Sequence, residues 1–79
     1  MENGDQALAY KHCTIFYSSH LDTNLLKFVP MAAISWEMRG TVITYFLRSL
    51  KPENTQQKAE TQAVEQAKGW IDRINPSVF

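Results

Sequence analysis

Between residues 10 and 17 the chain turns β-branched and aromatic, a composition that predicts a strand. Two sets of side chains alternate along it: Cys13, Ile15 and Tyr17 against His12, Thr14 and Phe16. Each set holds a large apolar ring, so alternation alone leaves open which one faces the core. Residues 18–24 are mostly short polar side chains that bond their own backbone, and they read as a turn. A second strand is predicted over 28–37, with Pro30 near its start or at an unpaired point, because proline has no N–H to give a ladder. Arg39-Gly40 supplies the next turn, glycine being free to take positive φ. If those two residues are the loop, Met38 pairs with Thr41. Trp36/Ile43, Ile34/Tyr45 and Ala32/Leu47 then share one face, and Glu37/Val42, Ser35/Thr44 and Ala33/Phe46 share the other. A slip of one residue would turn a whole strand over, so three successive apolar pairs on one face support this register.

After Lys51-Pro52-Glu53 the period changes from two to between three and four. Asn54 is placed to cap a helix, with Gln57 as the reciprocal partner of a capping box. From residue 55 to residue 74 the apolar positions are Ala59, Ala63, Val64, Ala67, Trp70, Ile71 and Ile74, one stripe of an amphipathic helix. The alanines allow close approach to a sheet, the later residues supply bulk, and Asn75-Pro76 ends the run. The predicted fold class is α+β: a three-stranded antiparallel meander followed by one C-terminal amphipathic helix packed on one face. Residues 1–7 are expected to be a disordered tail and 8–79 a single domain, with the sheet over 8–50 and the helix over 55–74. Ala32, Ile34, Trp36, Ile43, Tyr45 and Leu47 form the expected floor under the helix.

Composition narrows the classes of function. With 79 residues there is material for one core. No apolar run approaches the roughly 20 residues of a membrane span, and the polar, acidic start is unlike a secretory leader, so a cytoplasmic location is expected. A single cysteine, Cys13, excludes an internal disulfide. Eight basic and eight acidic residues cancel. They are unevenly placed: residues 6–52 carry Lys11, Lys27, Arg39, Arg48 and Lys51 against Asp22 and Glu37, an excess of +3. Binding a polyanion usually takes a denser patch.

Little in the chain promises chemistry. His12, Cys13, His20 and Asp22 are the one plausible metal cluster, and they follow no zinc spacing. Cys13 among strand apolars reads as a small hydrophobe. Glu60 and Glu65 lie on the polar side of the helix, where Lys68 can meet Glu65 and Asp72 in a solvated ladder. Gly4, Gly40 and Gly69 are isolated, so no phosphate-cradling loop exists. We therefore expect no catalytic residue, no metal and no cofactor.

The second face of the sheet is different. One helix covers one face, and the hairpin register leaves Met31, Ala33, Val42 and Phe46 on the other, with Val29 beside them and Arg48 at the end. A contiguous exposed apolar group points to a partner. The leading expectation is a non-enzymatic protein-interaction module, a homodimer or a complex with another protein, built on Met31, Ala33, Val42, Phe46 and Arg48. The alternative is a sheet-based nucleic-acid binding domain resting on the +3 region.

The helix spacing A-x-x-x-A-x-x-x-A-x-x-W-I-D, made by Ala59, Ala63, Ala67, Trp70, Ile71 and Asp72 behind a tryptophan-bearing hairpin, resembles small bacterial proteins of uncharacterised function. The resemblance covers residues 31–72 and implies the strands-then-helix fold without an activity. In outline the element order is also similar to integrase-arm DNA-binding domains and to HicB-like domains; the former implies DNA reading from the exposed sheet face.

Overall fold

The computed structural model describes residues 6–48 and 50–74. Its elements run β1 (Gln6–Tyr10), β2 (Cys13–Asp22), β3 (Lys27–Met38), β4 (Thr41–Phe46) and α1 (Gln56–Ile74). The strands form one antiparallel sheet in the order β1-β2-β3-β4, and α1 crosses β2 and β3. The fold is α+β with one C-terminal helix, as the sequence pattern implies, but the sheet has four strands and not three.

The additional strand lies where a tail and the beginning of a single strand were expected. Residues 6–10 pair with 13–17, from Gln6 with Tyr17 to Tyr10 with Cys13. Lys11-His12 is therefore a hairpin loop, made without glycine, asparagine or proline, and Lys11 takes φ 56° to close it. Of the expected tail, residues 6 and 7 belong to β1, and residues 1–5 lie outside the described residues. The next turn also moves: residues 18–22 continue β2, and the reversal occupies residues 23–26. There the Asp22 carboxylate accepts the backbone N–H groups of Asn24 and Leu25 at 2.9 and 3.2 Å, and Leu26 takes φ 55°. A short polar side chain does serve this turn, that of Asp22.

The β3–β4 hairpin has the expected register, with Met38 opposite Thr41, Trp36 opposite Ile43 and Ile34 opposite Tyr45. Arg39 and Gly40 both have positive φ, 53° and 81°, which a two-residue type I′ turn requires. Beyond the hairpin, Leu47 N–H donates to the Ala32 carbonyl. Phe28 and Glu53 then exchange both backbone hydrogen bonds at 2.8 Å. Phe28 and Ala32 thus direct their backbone groups toward the β4 side, and by alternation so does Pro30. It sits in the gap between those two contacts, where no N–H is needed.

The helix begins at Gln56, one residue later than an Asn54 cap requires. Thr55 Oγ1 accepts the Lys58 N–H at 3.1 Å and is the cap in place of Asn54. The Gln62 side chain ties the connection to the helix: its amide accepts the Lys51 N–H and donates to the Lys51 carbonyl and to Glu53. Ala59, Ala63, Ala67 and Ile71, four residues apart, are all fully buried. The floor beneath α1 is Cys13 and Ile15 of β2 with Ala32 and Ile34 of β3. This corrects the expectation of a β3–β4 floor. With β1 present, α1 sits nearer the middle of the sheet, and Ile43 and Tyr45 lie at its rim.

Candidate functional site

Pairing fixes the two faces of the sheet. Leu8, Cys13, Ile15, Tyr17, Ile34 and Trp36 point toward α1, so it is His12, Thr14 and Phe16 that lie outside the core. The opposite face carries one row across all four strands: Ala7 is paired with Phe16, Phe16 with Ala33, and Ala33 with Phe46. No other element among the described residues covers it. Phe46 keeps 65% of its surface exposed, Val42 67%, Met31 51% and Phe16 38%, whereas Ala33, low between two rings, keeps 8%. Phe16, Ser18, Met31, Ala33 and Phe46 surround a recess of about 240 Å³. Strand alternation explains the row: the residues that seat α1 leave their neighbours on the far side.

The structure brings together four of the expected site residues, Met31, Ala33, Val42 and Phe46, on this one face, and Arg48 lies exposed just past β4. Sequence reasoning missed Phe16 and Ser18. The signal for them was the Asp22/Lys27 closure, from which Phe16/Ala33 pairing follows by counting. Charged groups stand at the margins: Asp22 and Lys27 at one end, Glu37 toward the other, Arg48 beyond β4.

The remaining chemistry-bearing residues are dispersed. His12 is in a turn, Cys13 is buried on the helix side, and His20 is exposed on the far face. Among the described residues no three His, Cys, Asp or Glu side chains converge. Burial pushes the Cys13 thiol above its ordinary pKa, opposite to what a nucleophile needs. A second groove, of about 340 Å³, runs between β1 and α1 past Leu8, Tyr17 and Val64, with Glu60, Glu65 and Lys68 on its rim.

Asp72 feels the charge of Lys68, as its place on the helix implies, but its hydrogen bonds come from the β1–β2 hairpin. It accepts both the Lys11 ammonium and the Tyr10 hydroxyl, tying the β1–β2 turn to the last turns of α1. The hydrogen bond from Lys11 holds the Asp72 carboxyl below its ordinary pKa, with Tyr10 adding to the effect, and the same bond raises Lys11. A lowered acid pKa stabilises the fold above the ordinary carboxylate range and loses that effect as pH falls through the folded-state value. A raised lysine acts up to the ordinary lysine range and loses its effect as pH climbs beyond. Asp72→Asn is therefore expected to be less stable than wild type at pH 7 and equal to it at strongly acidic pH. Thermal unfolding across the acid range measures this; a gap that persists unchanged to low pH would remove the ion pair as its cause.

The fold and its bare face define a small α+β domain, an antiparallel meander with a helix on one side and an apolar surface on the other. No protein-family model, curated protein or solved structure matches the chain. No helix among the described residues is long and apolar enough to cross a membrane.

Proposed function

We propose that this protein is a non-enzymatic protein-interaction module that docks through the outer face of its sheet. The observation that supports the reading is that Phe16, Met31, Val42 and Phe46 are left in water around the buried Ala33, opposite the only helix among the described residues. Each Å² of such surface that a partner covers is worth roughly 25 cal/mol. Phe46→Asp places a charge on that face and outside the core. The variant is expected to stay folded, with a cooperative thermal transition, while losing association, followed by light scattering across micromolar concentrations. Unfolding of the variant would mean that Phe46 belongs to the core, and undiminished association would move the docking surface elsewhere.

The nucleic-acid alternative has less support. Met31, Ala33 and Phe46 stand where a sheet that reads DNA needs cations, and Lys27 and Arg48 lie at the margins. Binding to duplex DNA is expected to be weak and to vanish near ~0.15 M salt, since phosphate contacts weaken steeply as salt rises. A submicromolar complex at that salt, lost in Arg48→Ala, would reverse the order of the two readings.

A further inference from the structure

We infer that the partner of this face is a second copy of the chain, and that each copy seats its Phe46 in the recess over Ala33 of the other. This rests on the outer face being the docking surface and adds what occupies it. The face carries both halves of a contact. Phe46 is the knob, two-thirds exposed. The recess beside it, about 240 Å³ between Phe16, Met31 and Phe46 with Ala33 below, is the hole. That volume falls under the roughly 300–1,000 Å³ of small-molecule pockets and suits a single side chain.

Symmetry brings the two together. Ala33 and Phe46 are paired residues on neighbouring strands, about 4.8 Å apart in the sheet. Consider a two-fold axis between two stacked faces, parallel to the strands and midway between β3 and β4. It carries Phe46 of each copy over Ala33 of the other, an isologous contact in which both knobs are seated at once.

Size and charge are consistent with a second copy. The molecule is a slab whose backbone extends 42 × 28 × 16 Å, so its broad face is on the order of 1,000 Å²; a standard interface takes about 800 Å² from each partner. The net charge of the chain is zero, so copies meet without long-range repulsion. Asp22 and Lys27 face out at one end, Glu37 toward the other, and the centre of the face is uncharged. The same axis sets Glu37 beside Glu37 and Lys27 beside Lys27, but both are exposed at the ends of the face, where their charges can turn out into solvent.

The test is sedimentation of wild type, Phe46→Asp and Ser18→Phe, with circular dichroism to confirm folding. Wild type is expected to dimerise in the micromolar range and Phe46→Asp to be monomeric. Ser18→Phe adds apolar area to the face but fills the recess, so it is expected to weaken the dimer at least ten-fold. A Ser18→Phe dimer as tight as wild type would overturn the seating of Phe46 and leave the docking face intact. A Phe46→Asp dimer as tight as wild type would overturn the docking face itself. A wild type monomeric at ~100 µM would overturn the second copy as partner. Independently of any variant, isotope-filtered NMR on a mixed-label sample should place the Phe46 ring of one copy against the Ala33 methyl of the other. A dimer without that inter-copy contact would overturn the seating as well.

Discussion

Replacing Trp70 with alanine will lower the thermal midpoint by on the order of 12–24 °C. Trp70 lies on the flank of α1 over the β3–β4 side of the sheet. Its ring stacks on Tyr45 with centroids 4.8 Å apart and an interplanar angle of 13°, and meets Trp36 at 5.7 Å. Tyr45 and Trp36 lie on neighbouring strands, so a single side chain joins the helix to both arms of the hairpin. Truncating a packed tryptophan costs about 3–5 kcal/mol. Trp70 is half-buried at the rim, which favours the lower end, about 3 kcal/mol. In a domain of this size each kcal/mol shifts the midpoint by about 4–8 °C. Against a total stability of roughly 4–12 kcal/mol the loss is large. The measurement is thermal unfolding followed by near-ultraviolet circular dichroism, and a midpoint within a few degrees of wild type would mean that the aromatic trio does not hold the helix down.

The second large effect comes from adding atoms. Ala63 sits between Ala59 and Ala67 on α1, all three completely buried against β2 and β3. This part of α1 presents only methyl groups, and they pack against the buried floor of β2 and β3. Ala63→Leu introduces three more carbons at a fully buried position, and forcing such a group into a packed interior costs about 1–3 kcal/mol. Val64→Leu, one position around the helix at the open groove, serves as the tolerated control. Urea unfolding should show a lower midpoint at unchanged slope for Ala63→Leu and little change for Val64→Leu. Equal midpoints for the two would mean that the alanine stripe has slack beneath it.

What could be read from sequence depended on whether each turn carried its own chemistry. Arg39-Gly40 announces a two-residue loop, and from that one placement the β3–β4 register and the outward set Met31, Ala33, Val42 and Phe46 follow by counting. Lys11-His12 announces nothing, because a lysine takes up the left-handed backbone there, held by pairing on both sides and by the Asp72 clamp. Ala7, Leu8 and Ala9 also prefer helix when isolated; their place in a strand comes from β2 alongside. Ser18, Ser19 and Asp22 have the composition of a loop, yet β3 opposite them is long enough to extend β2 through them. Losing β1 and the end of β2 hid the orientation of Phe16, and so half of the recess. The Thr55 cap shows a smaller failure of the same kind: two adjacent residues could both cap, and only the path of the chain after Glu53 selects between them.

β4 is the last strand of the sheet, and one of its edges pairs with nothing among the described residues. Its sequence, Thr-Val-Ile-Thr-Tyr-Phe, has six residues of high β-propensity with no charge, proline or glycine. That is the composition of segments that stack into cross-β fibrils when left exposed. Arg39 precedes it by two residues and Arg48 follows by two. In a stacked array each arginine would recur every ~4.8 Å along the fibre, like charge on like charge. The pair therefore acts as a gatekeeper, tolerating one added strand far better than an endless series of them.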